Sequence, residues 1–304
     1  MFPMGIWYQK SLNNVTILGL WHIIFALGLV IGSFLNVCIY RIPKGQSLVL
    51  PRSFCPYCNT YLTWYDNIPV LSYLLLKGHC RACSAKISLR YPLVELLTGC
   101  LCAYLYYVFA QGRGEPLCVF LIYFLLACAL IVATFVDLEL LIIPNEITLV
   151  GMPLALVLSV LCPELHHAQY TLRDFSLVGV YRLDALIASA LGILAGGGLV
   201  FACSIFGKWL FKKDAMGFGD VKLMGMIGGF VGWKLAITVF FVAPFFGIFM
   251  AIPALLVKKS RLIPYGPFLS LATMVCIVMQ DYFIELINRY IQLFVVLFTG
   301  FQSC

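Results

Sequence analysis

Charge is scarce in this chain: Asp, Glu, Lys and Arg make up only 11% of its 304 residues, too few for the surface of a soluble domain of that length. No glycine-rich nucleotide fingerprint follows a strand-like run, and there is no soluble α/β domain to carry one. An internal repeat of the kind many transporters show is not evident either. The first apolar run is too long for a signal-peptide core and lacks a basic start or a small-residue cleavage site, so it is expected to stay in the protein. What fills the chain instead is hydrocarbon: 62% of the residues are hydrophobic and the mean hydropathy is +1.00.

Such a composition implies a multi-spanning membrane protein. Apolar runs lie at 17–40, 93–110, 117–136, 143–162, 183–207, 221–233, 235–257 and 267–284, most of them long enough to cross a hydrocarbon core of about 30 Å as helices. A further apolar stretch at 285–299 is interrupted by Asn288 and Arg289. The runs are too long for barrel strands, so the expected fold is all-α, a polytopic helical bundle of about eight spans. Three parts follow: an outside N-terminus with the first span (1–40), a polar insertion (41–92), and a bundle (93–304).

Lysine and arginine set the orientation. Arg41, Lys44, Arg52, Lys77, Arg81, Lys86 and Arg90 fall in the insertion, Lys208, Lys212, Lys213 and Lys222 in one loop, and Lys258, Lys259 and Arg261 in another. With alternating spans, all three segments share one side. The opposite side has only Lys10, Arg113, Arg173, Arg182 and Lys234. The basic side is therefore expected to be cytoplasmic. The net charge of +7 is mostly this bias and gives no reason to expect a nucleic-acid partner.

The insertion holds "CPYC" (Cys55, Cys58) and "CRAC" (Cys80, Cys83) with 21 residues between the pairs. Two such knuckles suit a closed four-thiolate zinc site of structural type. A reducing compartment argues against the alternative, a pair of disulfides. His79, beside Cys80, is a possible substitute ligand. Of the thirteen cysteines, Cys38, Cys100, Cys102, Cys118, Cys128, Cys162, Cys203 and Cys276 fall in or near apolar runs and read as small buried hydrophobes. Cys304 reads as a loose terminal thiol.

Asp137 and Glu139 stand at the cytoplasmic end of the third run, and Asp220 stands at the cytoplasmic start of the sixth. The two aspartates share a face and a depth, where an acid is best tolerated facing a wet bundle interior. They fit a catalytic pair, with Gly217 and Gly219 permitting close approach of another chain. They also fit an N-cap and a helix end, and the residue pattern leaves both readings open.

"DLELLIIPN" (Asp137–Asn145) and "GFGDVK" (Gly217–Lys222) resemble the two signature motifs of the type IV prepilin peptidases, membrane aspartic proteases of the GxGD class. "GSFLNVCIYRIP" (Gly32–Pro43), the cysteine pairs, "RYPLVELLTG" (Arg90–Gly99) and "IPYGPFLSLAT" (Ile263–Thr273) resemble further family motifs in the same order. The resemblance implies an enzyme of the bacterial inner membrane acting on prepilins and pseudopilins. It would cut their basic leader after a glycine on the cytoplasmic face, then methylate the new N-terminus with S-adenosylmethionine. It implies Asp137 and Asp220 as the catalytic pair, and helix dipoles suggest Asp220 as the resting base. Pro144 and Asn145 are expected to start a helix, with Asn145 as its cap. The methyl-donor site stays unassigned, with Glu95 read either as a contact for a cation or as a tie between helices. A peptidase without methyltransferase activity is the nearest alternative, disfavoured by the intact cysteine pairs, since the resemblance associates such relatives with loss of the insertion. A transporter or scaffold with acids lining an ion path is the other.

Overall fold

A computed structural model describes residues 4–169, 181–212, 217–256 and 264–300. Arg173, Lys213, Asp214, Lys258, Lys259, Arg261, Ile263 and Cys304 lie outside the described residues, as does most of the 163–182 segment. The described chain is helical, with no strand beyond two isolated bridges. Its helices are α1 (Met4–Arg41), α2 (Leu71–Leu75), α3 (Arg90–Leu105), α4 (Leu117–Leu140), α5 (Asn145–Leu161), α6 (Tyr181–Phe211), α7 (Phe218–Leu256), α8 (Gly266–Val278) and α9 (Gln280–Gly300). They belong to two compact units, Met1–Gly114 and Glu115–Cys304.

In the first unit α1 packs on α3 through glycine, because only a missing side chain lets two membrane helices approach so closely. A Cβ on Gly28 would lie 2.8 Å from Gly99 Cα, and one on Gly32 would lie 2.7 Å from Glu95 Cα. Asn36 Nδ2 donates to the Tyr91 carbonyl at 3.0 Å across the same seam. Glu95 is buried and its Oε2 accepts the Val70 N–H at 2.8 Å. Val70 has φ 60°, a conformation a β-branched residue rarely takes. The carboxylate therefore ties the insertion to α3.

In the second unit α4 is a buried apolar helix, lined along its length by residues such as Phe120, Leu126, Leu130 and Val136. The backbones of α6 and α7 meet at glycines. A Cβ on Gly192 would fall 2.7 Å from the Gly228 carbonyl carbon and 2.9 Å from Gly232 Cα. Gly192→Ala is expected to cost about 1–3 kcal/mol of stability, since two packed backbones cannot both give way. A lowered thermal midpoint in detergent would register it, and an unchanged midpoint would count against this packing.

The expected count of about eight spans is not confirmed. Among the described residues five helices are long and apolar enough to cross a membrane, or six if the pair α8 and α9, bent by 84°, counts as one. Two features account for the difference. The run at 143–162 becomes α5, whose 17 residues are at the short end of what can span, and the runs at 221–233 and 235–257 form one element, α7, whose helix is broken at Gly232 (φ 75°, ψ 172°). A straight helix would put Gly219 and Gly247 about 42 Å apart. Yet Cβ atoms on Gly219 and Gly266 would both touch Ile143, and a Cβ on Gly247 would lie 3.7 Å from the Phe268 ring. The two arms of α7 thus fold back on each other at Gly232. Lys234, read as an outer-loop charge, is instead buried beside this turn and donates to Asn288 Oδ1 at 2.9 Å.

Candidate functional site

The insertion is built from one small motif used twice. Cys55 N–H bonds the Thr60 carbonyl and Asn59 N–H bonds the Cys55 carbonyl, while Cys80 N–H bonds Ala85 and Ser84 N–H bonds Cys80 in the same pattern. Asn59 (φ 58°) and Ser84 (φ 56°) make the left-handed turn of each knuckle, and a bridge closes each behind it, Phe54 with Tyr61 and His79 with Lys86. Arg81 joins the second knuckle to the 64–67 turn by donating from Nε (2.9 Å) and Nη2 (2.8 Å) to Asp66 Oδ1. That guanidinium holds the Asp66 carboxyl below the usual range.

The knuckles bring Cys55, Cys58, Cys80 and Cys83 together, each sulfur within 4.8 Å of the others. This cluster could hold a metal ion. The Thr60 hydroxyl and backbone pull the Cys58 thiol down to about 6. Cys83 goes up to about 12, its Ala85 backbone contact outweighed by desolvation and by the thiols of Cys58, Cys80 and Cys55. A divalent cation held among the four sulfurs would let all four ionise. His79 is no part of the cluster; its Nδ1 lies 2.8 Å from the Lys77 carbonyl oxygen.

The carboxylates are in the second unit. Asp137 lies in the last turn of α4, is buried, and its Oδ2 accepts the Gly266 N–H at 3.0 Å. Leu141, in the left-handed conformation, ends α4 by donating to the Asp137 carbonyl at 2.9 Å. The chain then runs through Ile143 and Pro144 into α5. Asp220 is the third residue of α7, half-buried, and its N–H bonds the Gly217 carbonyl at 3.1 Å. A Cβ on Gly219 would be 3.2 Å from Ile143 Cβ, and a Cβ on Gly266 would be 3.5 Å from Ile143 Cδ1. Ile143 is thus the shared wall that brings the opening turn of α7 to the end of α4. Gly217 has more room, its nearest neighbour being Asp220 Oδ2 at 3.6 Å.

Three features of this site escaped the sequence reading. Gly266 supplies a backbone donor to Asp137 from 129 residues away. Lys222 Nζ donates to Asn145 Oδ1 at 2.8 Å, clamping α7 to α5. Asn145 is therefore not the cap of α5; Pro144 holds that position. The Tyr265 hydroxyl, next to Gly266, is buried with no hydrogen-bond partner among the described residues. Only the motif resemblance of "IPYGPFLSLAT" drew attention to the last region.

A side chain at Gly266 would meet Asp137 directly, its Cβ 2.7 Å from Oδ2. Gly266→Ala is expected to displace that carboxylate by about 1 Å, a misplacement that can cost roughly a hundredfold in rate. Cleavage assays on the folded variant check this, and an unchanged rate would remove Gly266 from the site.

Fold and site together define a polytopic helical membrane protein with two acids at helix ends and a four-cysteine insertion. Residues 26–109 match the Bacterial Peptidase A24 N-terminal domain, and residues 124–252 match the Type IV leader peptidase family. Curated relatives named Prepilin leader peptidase/N-methyltransferase include one from Aeromonas hydrophila, 34% identical over 86% of this chain and 91% of the relative. Another, from Pseudomonas aeruginosa, is 30% identical over 91% of this chain and 93% of its own length. A third, from Myxococcus xanthus, is 39% identical over 77% and 62%. No solved structure matches. The chain belongs to the type IV leader peptidase family.

Proposed function

We propose that this protein cleaves the basic leader from type IV prepilins and type II secretion pseudopilins after a glycine, and then N-methylates the new N-terminus with S-adenosylmethionine. The observation that carries the reading is the meeting at Ile143 of the segments that bear the two acids, Gly219 beside Asp220 and Gly266 bonded to Asp137, in a chain whose relatives bear both activities in their names. The orientation read from lysine and arginine supports a cytoplasmic position for this site, and the family resemblance supports the bacterial inner membrane.

Two carboxyl groups on one water share a proton, because ionising both is costly. The ionised one takes a proton from water as it attacks the scissile carbonyl, and the protonated one hydrogen-bonds the carbonyl oxygen. Collapse of the tetrahedral intermediate returns a proton to the leaving amine. Asp220, in the first turn of α7, is assigned as base, since the helix N-terminus favours its charge. Asp137, oriented by the Gly266 N–H, is the acid. Gly217 and Gly219 leave space for the substrate backbone.

Zinc suits the cysteine cluster. A tetrahedral site with Zn–S bonds of about 2.3 Å has sulfur–sulfur edges of about 3.8 Å, and Cys55 and Cys83 Sγ are 3.8 Å apart. The ion would be held by Cys55, Cys58, Cys80 and Cys83 and would stabilise the 41–92 insertion, with no part in proteolysis. Retention of the cluster favours the bifunctional reading over the peptidase alone.

Incubating detergent-purified protein with a prepilin and a labelled methyl donor tests the proposal. Cleavage with label on the mature pilin is the expected result. Cleavage alone would leave a peptidase, and neither would overturn both activities.

A further inference from the structure

The two cysteines at the far end of the α4–α5 hairpin were read from sequence as buried hydrophobes, but their sulfurs meet each other. Cys118 is the second residue of α4, and Cys162 follows the last residue of α5. Their Cα atoms are 6.4 Å apart, within the span a disulfide can bridge. We propose that Cys118 and Cys162 form a structural disulfide on the outer face of the membrane, closing the hairpin that carries Asp137.

Position along α4 gives the compartment. Cys118 and Asp137 are 19 residues apart on one helix, a rise of about 28 Å, close to the thickness of the hydrocarbon core. The cysteines and the aspartates are therefore at opposite faces. If the aspartates face the cytoplasm, as the proposed function has it, the cysteines face an oxidising space where disulfides persist. The described segments at that end, 112–116 and 162–169, hold Arg113 and no lysine.

The bond has a mechanical purpose. α5 packs chiefly on α6 and α7 and touches α4 only sparingly. At the inner end α4 and α5 are joined by the Leu141–Pro144 link that carries Ile143. At the outer end, among the described residues, Cys118–Cys162 joins them, and the Tyr123 hydroxyl of α4 donates to the Leu165 carbonyl just beyond α5 at 3.4 Å. The cross-link turns an open pair of helices into a closed loop with Asp137 and Ile143 at its apex.

Formation removes two protons and two electrons from two thiols as the sulfur–sulfur bond forms. A periplasmic protein disulfide accepts the electrons by thiol–disulfide exchange and leaves as a dithiol. The Glu164 carboxylate lies within 4.8 Å of both sulfurs, so the rival reading is a metal held by Cys118, Cys162 and Glu164. It requires both thiols free.

The test uses full-length protein in membranes quenched with N-ethylmaleimide, digested without reduction and read by mass spectrometry. A linked peptide pair containing Cys118 and Cys162 that separates on reduction is expected. Both cysteines alkylated before reduction would overturn the bond, and one metal equivalent lost in Cys118→Ser would establish the rival. In Cys162→Ser, the half-buried Cys118 should react with a membrane-impermeant maleimide in intact spheroplasts. Reaction in inverted vesicles alone would overturn the outer placement. The double variant Cys118→Ser/Cys162→Ser should lose cleavage activity on heating at least roughly tenfold faster than the native protein; an equal rate would overturn the clamp. Prepilin cleavage by the unheated native membranes reads the proposed function separately, so failure of either idea is visible by itself.

Discussion

Asp137→Asn and Asp220→Asn are each expected to lower prepilin cleavage by at least ~10²-fold, while the protein remains inserted and folded. Each amide keeps the shape of the side chain but can neither accept nor deliver the proton, and general acid–base catalysis contributes about 10²–10⁴-fold. In Asp137→Asn the Gly266 N–H can still find the amide oxygen, so the site stays assembled while its acid is gone. Glu139→Gln is the control. Glu139 is two residues from Asp137 but exposed, and its variant should keep most of the activity. Rates of cleavage measured at equal, folded enzyme concentration decide the matter, and near-native cleavage by either aspartate variant would remove the acid–base pair.

Changing any one of Cys55, Cys58, Cys80 or Cys83 to serine should empty the cluster and unfold the insertion. Without a bound metal, little besides scattered polar contacts would hold it. Tyr57, Tyr61, Trp64 and Leu75 are largely exposed, and among the described residues its stabilising contacts are mostly polar, including the paired turn bonds, Asp66–Arg81, the Arg41 bonds to the Ser47 and Pro51 carbonyls and the Val70–Glu95 anchor. Metal binding then supplies much of its folding free energy. Metal analysis should give one zinc per native chain and less than about a tenth of an equivalent in the variants. Methyl transfer should be lost with the ion. Cleavage should suffer less, because Asp137 and Asp220 belong to the other compact unit. A native chain purified without chelator and carrying no thiophilic metal would contradict this account.

The helical class, the clustered cysteines and the aspartates at helix ends were legible because each depends on local pattern. Hydropathy reveals long apolar runs, Cys-x-x-Cys sets a turn, and an acid at the edge of an apolar run is conspicuous. Contacts between distant segments were not legible. No periodicity connects Gly266 with Asp137, or Lys222 with Asn145, since the partners face each other only after α4, α5, α7 and α8 have packed. The reversal in α7 was visible as the break between the apolar runs 221–233 and 235–257, but its pivot, the backbone of Gly232, was not. Lys234 looked like a loop charge because it follows that reversal, yet Asn288 gives it a buried partner. Cys118 and Cys162 resembled the other cysteines of the apolar runs; only their meeting in space sets them apart.

The most direct test of the shared carboxylate site is binding of a prepilin peptide whose scissile amide is replaced by a non-cleavable hydroxyethylene group. A group shaped like the tetrahedral intermediate should bind at least ~10²-fold more tightly than the parent peptide. Asp137→Asn and Asp220→Asn should each abolish that advantage while leaving affinity for the parent peptide nearly unchanged. An analogue held no more tightly than the substrate, or held equally well by both variants, would contradict the claim that the two aspartates act on one peptide bond.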